Sequence, residues 1–87
     1  MDKRKKDQKT LTAKEAAQNA AHYLVDLVDN VSDVLLEEVE RDDGVWRITL
    51  SYQTSRPPLM SFLQRDYKLF EIDAITGDVK SMRIRKV

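Results

Sequence analysis

The chain contains only two glycines, Gly44 and Gly77, and each stands between two runs that carry apolar residues at alternate positions. Either can take the positive φ of a sharp reversal, Asp43-Gly44 as a tight hairpin connection and Gly77 within Asp73-Ala-Ile-Thr-Gly-Asp78. Two such reversals call for antiparallel strands on both sides of each. After Gly44, Trp46, Ile48, Leu50 and Tyr52 alternate with Arg47, Thr49, Ser51 and Gln53, the pattern of a strand buried on one face. The arm before it, about 34–41, is less regular and leaves room for a bulge near Leu35-Leu36. Around Gly77, strands are expected at about 66–74 and 78–86. Phe70 and Ile72 share a parity, as do Met82 and Ile84, so both strands can offer an inward face, while Tyr67 and Leu69 have the other parity and add apolar contacts on the outer face.

Upstream of the strands the period changes to that of a helix. Thr12 and Glu15 form a capping box, each side chain placed to satisfy the other's backbone amide, and Leu11 with Ala16 fits the accompanying hydrophobic staple. Ala13, Ala16, Ala17, Ala20, Leu24, Leu27, Val28 and Val31 then recur at spacings of three and four, one stripe of a helix over about 12–29. The alanines raise helix propensity and let a sheet approach closely. Asp29-Asn30 and Ser32-Asp33 supply the turn that follows. The helix stripe and the apolar face of the strands need each other. The expected fold is therefore α+β: one N-terminal helix packed on a four-stranded antiparallel meander sheet in two layers, spanning residues 11–87. Residues 1–10 have nothing to bury and read as a disordered basic arm.

At 87 residues without cysteine, the chain has the material for one small domain, and an ordinary apolar core must hold it. The opening residues have no apolar leader and no run reaches about 18 apolar residues, so a cytoplasmic protein with no membrane span is expected. Net charge is zero but unevenly spread. In the arm, Lys3, Arg4, Lys5, Lys6 and Lys9 outnumber Asp2 and Asp7. Residues 26–43 hold eight carboxylates against Arg41, a net of −7. The last strand is basic, with Lys80, Arg83, Arg85 and Lys86.

No pattern of catalytic chemistry emerges. Asp73 can accept bonds from the amides two and three residues on, and Thr76 can do likewise, so the Asp73–Asp78 motif reads as a register-setting turn rather than a cation loop. His22, the lone histidine, has Asp26 one turn later but no nucleophile in a recognisable context. Glu37 and Glu38, as strand neighbours, should point to opposite faces and so not form a carboxylate pair. There is no glycine-rich phosphate loop and no metal-ligand cluster, so no cofactor and no enzymatic activity are expected. Nucleic-acid binding through the basic arm and basic C-terminal strand is the alternative, disfavoured by the zero net charge and the acidic middle.

Protein binding remains. Pro57-Pro58 excludes a central strand, and the segment 55–66 that contains them is too apolar for an ordinary solvated loop. Leu59, Met60, Phe62 and Leu63, with Arg56 and Arg65 at the rim, are its candidate contact residues. A small sheet also has edges, which can accept another chain by β-augmentation. The partner would be an unidentified protein or a second copy.

The helix "EAAxxAA", the strand "DDGxWRIxL" and the hairpin "YxxFEIDAxTGDVxSM", in this order, resemble the PepSY domain. The resemblance runs from about Leu11 to Ile84. It implies a cystatin-like, two-layer arrangement of an N-terminal helix on an antiparallel sheet, with a "DxxTG" turn and a role in binding or inhibition rather than catalysis. A weaker resemblance, "DDGVWRITL…RPP…Y…ID…TGDVKSMRIR", is to the gas vesicle protein O accessory family. It implies a small accessory factor. The expectation is a small non-enzymatic binding or accessory module.

Overall fold

The capping box forms as the sequence demands. Thr12 Oγ1 accepts from the Glu15 amide at 3.1 Å, and Glu15 Oε1 accepts from the Thr12 amide at 2.9 Å. It opens α1 (Ala13–Leu27) in the computed structural model, which describes residues 9–54 and 65–86. Strands β1 (Val31–Asp42), β2 (Val45–Thr54), β3 (Asp66–Asp73) and β4 (Val79–Ile84) follow. They pair antiparallel in the order β1-β2-β3-β4, the expected meander, with α1 laid on one face. Most of the expected basic arm lies outside the described residues, as do Arg56, Leu59, Met60, Phe62 and Leu63.

Both glycines reverse the chain as expected. Asp43 and Gly44 take φ of 46° and 79°, the left-handed pair of a two-residue hairpin, which matches the right-handed twist of the strands where the common type I and II turns would splay them. Gly77 has φ of 83°. The two turns are tied together, because the Ala74 amide donates to the Gly44 carbonyl at 2.9 Å. The chain entering α1 is fixed at the same end: Leu11 donates to the Ala74 carbonyl at 2.7 Å, and Trp46 Nε1 donates to the Leu11 carbonyl at 2.9 Å.

The core lies between α1 and the inner sheet face. Ala16, Ala20 and Leu24 from the helix meet Ile48, Leu50 and Tyr52 from β2 and Phe70 and Ile72 from β3, all buried. Tyr23 packs edge-on to Phe70, with ring centroids 6.5 Å apart. Two members of the expected helix stripe belong elsewhere. Leu27 is exposed at the helix end, and Val31 starts β1 rather than continuing α1, although it still packs on the core. Asn30, at φ 59°, makes the reversal that separates them.

Strand β1 is longer than the alternating part of its sequence suggests, because two bulges interrupt it. The pairing jumps between Ser32 and Leu35 and again between Leu36 and Glu38, on either side of the expected position. Each bulge sets two β1 residues against one on β2. Val34, Leu36 and Val39 thus reach the inner face in spite of their changing parity.

Candidate functional site

The inner face near β1 is only partly covered. Toward β1 the helix presents Ala13, Ala17 and Ala21, side chains too short to fill the space above Val34 and Leu36. A groove of 440 Å³ remains, walled by these residues with Leu50 at its floor and Lys14 and Gln18 at its rim. It runs beside β1, one of the two edges of the sheet. Leu36 is 53 % exposed and Val39 38 %, so apolar surface continues from the groove to the edge. The alanines at spacings of four were visible in the sequence. Read as a device for close helix–sheet packing, they concealed that only part of the stripe meets the sheet.

The outer sheet face carries charge. Arg47 pairs with Asp42 at 3.0 Å and with Glu71 at 3.3 Å, and Arg85 pairs with Glu38 at 2.9 Å while donating to Thr49 Oγ1 at 3.1 Å. Thr49 and Ser51, expected on a solvated face, are buried here. The second bulge corrects the reading of Glu37 and Glu38: both turn to this outer face. Glu37 accepts a 2.7 Å bond from Ser51 Oγ, whereas Glu38 goes to Arg85. They are neighbours with separate partners, not an acid–base pair.

Arg65, expected at the rim of a contact surface, is engaged within the fold. Its guanidinium donates to Asp33 Oδ2 at 2.7 Å, to the Asp33 carbonyl, and through Nε to Ser51 Oγ at 3.0 Å. Asp33 sits at φ 52° in the first bulge, so Arg65 clamps the strained residue of β1 from the start of β3.

The turn at Asp73–Asp78 is assembled from its own groups. Asp73 Oδ1 accepts from the amides of Ile75 and Thr76, both at 2.9 Å, and Thr76 Oγ1 accepts from the Asp78 amide at 3.1 Å. The two backbone bonds, chiefly that from Thr76, hold the Asp73 carboxyl below its ordinary range. Since the folded value is the lower one, this carboxylate stabilises the fold fully above the ordinary carboxylate range. The contribution is lost as pH falls through the folded value. Asp73→Asn should therefore lower Tm at pH 7, and the gap to the parent should narrow as pH falls below the ordinary carboxylate range in thermal melts. A gap independent of pH would assign the effect to geometry alone. Among the described residues, no group of three or more His, Cys, Asp or Glu side chains is placed to hold a metal ion. His22 is exposed and makes no side-chain hydrogen bond to Asp26. No helix among the described residues is long and apolar enough to cross a membrane.

Compared with family models, curated proteins and solved structures, the chain finds no match in any of the three.

Proposed function

We propose that this is a small non-enzymatic protein-binding module, of the class the PepSY resemblance implies, which takes up an extended polypeptide segment along the free edge of β1. The observation that carries the reading is the 440 Å³ groove beside an open edge strand. A strand added to such an edge gains backbone hydrogen bonds, and its alternate side chains drop onto the apolar wall beneath the helix. Those on the other face meet Glu40, whose carboxylate has no partner among the described residues, beside Glu37, Glu38 and Asp42, which are engaged within the fold; this favours a basic residue opposite Glu40. A nucleic-acid reading gains no support from the outer face, where carboxylates interleave with the arginines and neutralise Arg47 and Arg85.

The test is selection of binders from a random displayed-peptide library on the whole protein, followed by mapping with NMR chemical shifts. Selected peptides should alternate apolar and basic residues and perturb 34–42 together with 13–21. Peptides that map elsewhere, or a library that yields none, would remove this reading.

A further inference from the structure

The two edges of the sheet are complementary to one another. From the charge pattern and the register we infer that a second copy of this chain is the occupant, its β4 adding antiparallel to β1 so that sheets join head to tail. The inference rests on the edge-binding reading above and names the partner.

Three observations converge. First, the edges are opposite in charge: β1 carries Glu37, Glu38, Glu40 and Asp42 against Arg41, while β4 and the two residues after it carry Lys80, Arg83, Arg85 and Lys86. Asp42 and the Glu38–Arg85 pair are engaged within the chain, which leaves Glu40 and Arg83 as the charges facing outward for a partner. Pairing β1 with a second β1 would set carboxylate on carboxylate, and β4 with β4 would set guanidinium on guanidinium, both unfavourable across a strand pair. Only the heterologous contact matches. The zero net charge of the whole chain leaves little long-range repulsion between copies.

Second, the straight parts of the two edges have the same length. The second β1 bulge leaves 38–42 regular up to the hairpin turn. In β4 the pairing jumps between Val79 and Ser81, and the ladder then runs on until the Arg85 amide donates to the Tyr67 carbonyl at 3.0 Å. Its regular stretch is 81–85, five residues against five.

Third, setting these stretches antiparallel and in full overlap gives one consistent set of neighbours. Glu40 falls opposite Arg83 and Asp42 opposite Ser81 on the outer face, while Glu38 and Arg85, already paired with each other within each chain, meet at the end of the overlap and leave Glu40–Arg83 as the new ion pair. On the inner face Val39 falls opposite Ile84 and Arg41 opposite Met82. Faces agree because Glu38 and Glu40 lie across from the outward Thr49 and Arg47, and Arg83 lies across from the outward Leu69. The most exposed large apolar residue, Ile84 at 73 %, is thereby covered by Val39. Glu40 and Arg83 have no salt bridge or side-chain hydrogen bond among the described residues, so each is free for the other. A translation of this kind keeps all helices on one face, and it closes into a ring or continues as a filament according to the sheet twist.

Sedimentation velocity on the whole protein tests the inference, with Glu40→Arg, Arg83→Glu and the double variant as comparisons. Both side chains are exposed and, among the described residues, unpaired, and circular dichroism verifies that each variant is folded. The parent should show a mass rising with concentration above the 10.1 kDa monomer, more steeply at about 50 mM than at about 500 mM salt. Each single variant should weaken association about tenfold or more, because it places like charges opposite each other. The double variant, and an equimolar mixture of the two singles, should recover it. A parent that stays monomeric to about 1 mM overturns the inference, as does an Arg83→Glu variant that associates like the parent. Should either occur while basic-apolar peptides still map to β1, the edge-binding reading stands and only the identity of the occupant falls.

Discussion

Phe70→Ala is expected to remove most of the stability of this domain. The ring is fully buried at the centre of β3, with Ile48 on one side in the sheet, Met82 on the other and Tyr23 edge-on from the helix. Truncation of a buried phenylalanine costs about 3–5 kcal/mol in transfer and cavity terms. A small domain has only about 5–15 kcal/mol to lose. Each kilocalorie is about 4–8 °C in Tm at this size, so a fall of more than about 12 °C is expected by calorimetry. Leu27→Ala is the matched control: the side chain is 56 % exposed at the helix end and should cost under about 1 kcal/mol. Similar losses at both positions would mean that the core is not where the burial pattern puts it.

Gly77→Ala should be the more costly of the two glycine substitutions, at about 2–3 kcal/mol. Part is the strain of a side chain at φ 83°, about 1–2 kcal/mol. The rest is steric and specific to this turn. A Cβ at Gly77 would lie 2.8 Å from Asn19 Nδ2 and 3.3 Å from Leu11 Cδ2. Asn19 must then move, and its 3.1 Å bond to the Gly77 carbonyl, which ties the helix to the turn, is lost or distorted at about 1 kcal/mol. At Gly44 a Cβ meets nothing within 4 Å, so Gly44→Ala bears the strain alone. Urea denaturation of the two variants reads the difference, and equal losses would show that Asn19 gives way freely.

Those two glycines were equally legible in sequence as reversals, but not as unequal ones. A turn declares its backbone conformation through residue type, whereas the tightness of its surroundings depends on what the rest of the chain packs there. The same division runs through the molecule. The Thr12–Glu15 cap, the Trp46–Tyr52 face and the Asp73 turn are local or strictly periodic, and each forms as its residues dictate. Strand β1 was harder to read because bulges change the parity on which alternation rests. That is why its start at Val31 and the common orientation of Glu37 and Glu38 were missed. The candidate site was the least legible part. A groove is a mismatch between two surfaces, here alanines against Val34 and Leu36, and neither sequence segment alone records it. Burial of Thr49 and Ser51 likewise comes from Glu37, Arg65 and Arg85, residues 14 to 36 positions away in the chain.

The paired bulges of β1 also make this strand a place where chain length is negotiable. In an unbroken strand, losing one residue turns every later side chain over, exchanging interior for solvent. Here the surplus residue of each bulge is absorbed locally, since Leu36 still faces Leu50 and Glu38 still faces Thr49 with Glu37 set between them. Excision of Glu37 would join those two pairs into a regular ladder without rotating any other residue. Insertions and deletions near 33 and 37 are thus the small changes in length this sheet is built to accept, at the border where its edge meets whatever binds it.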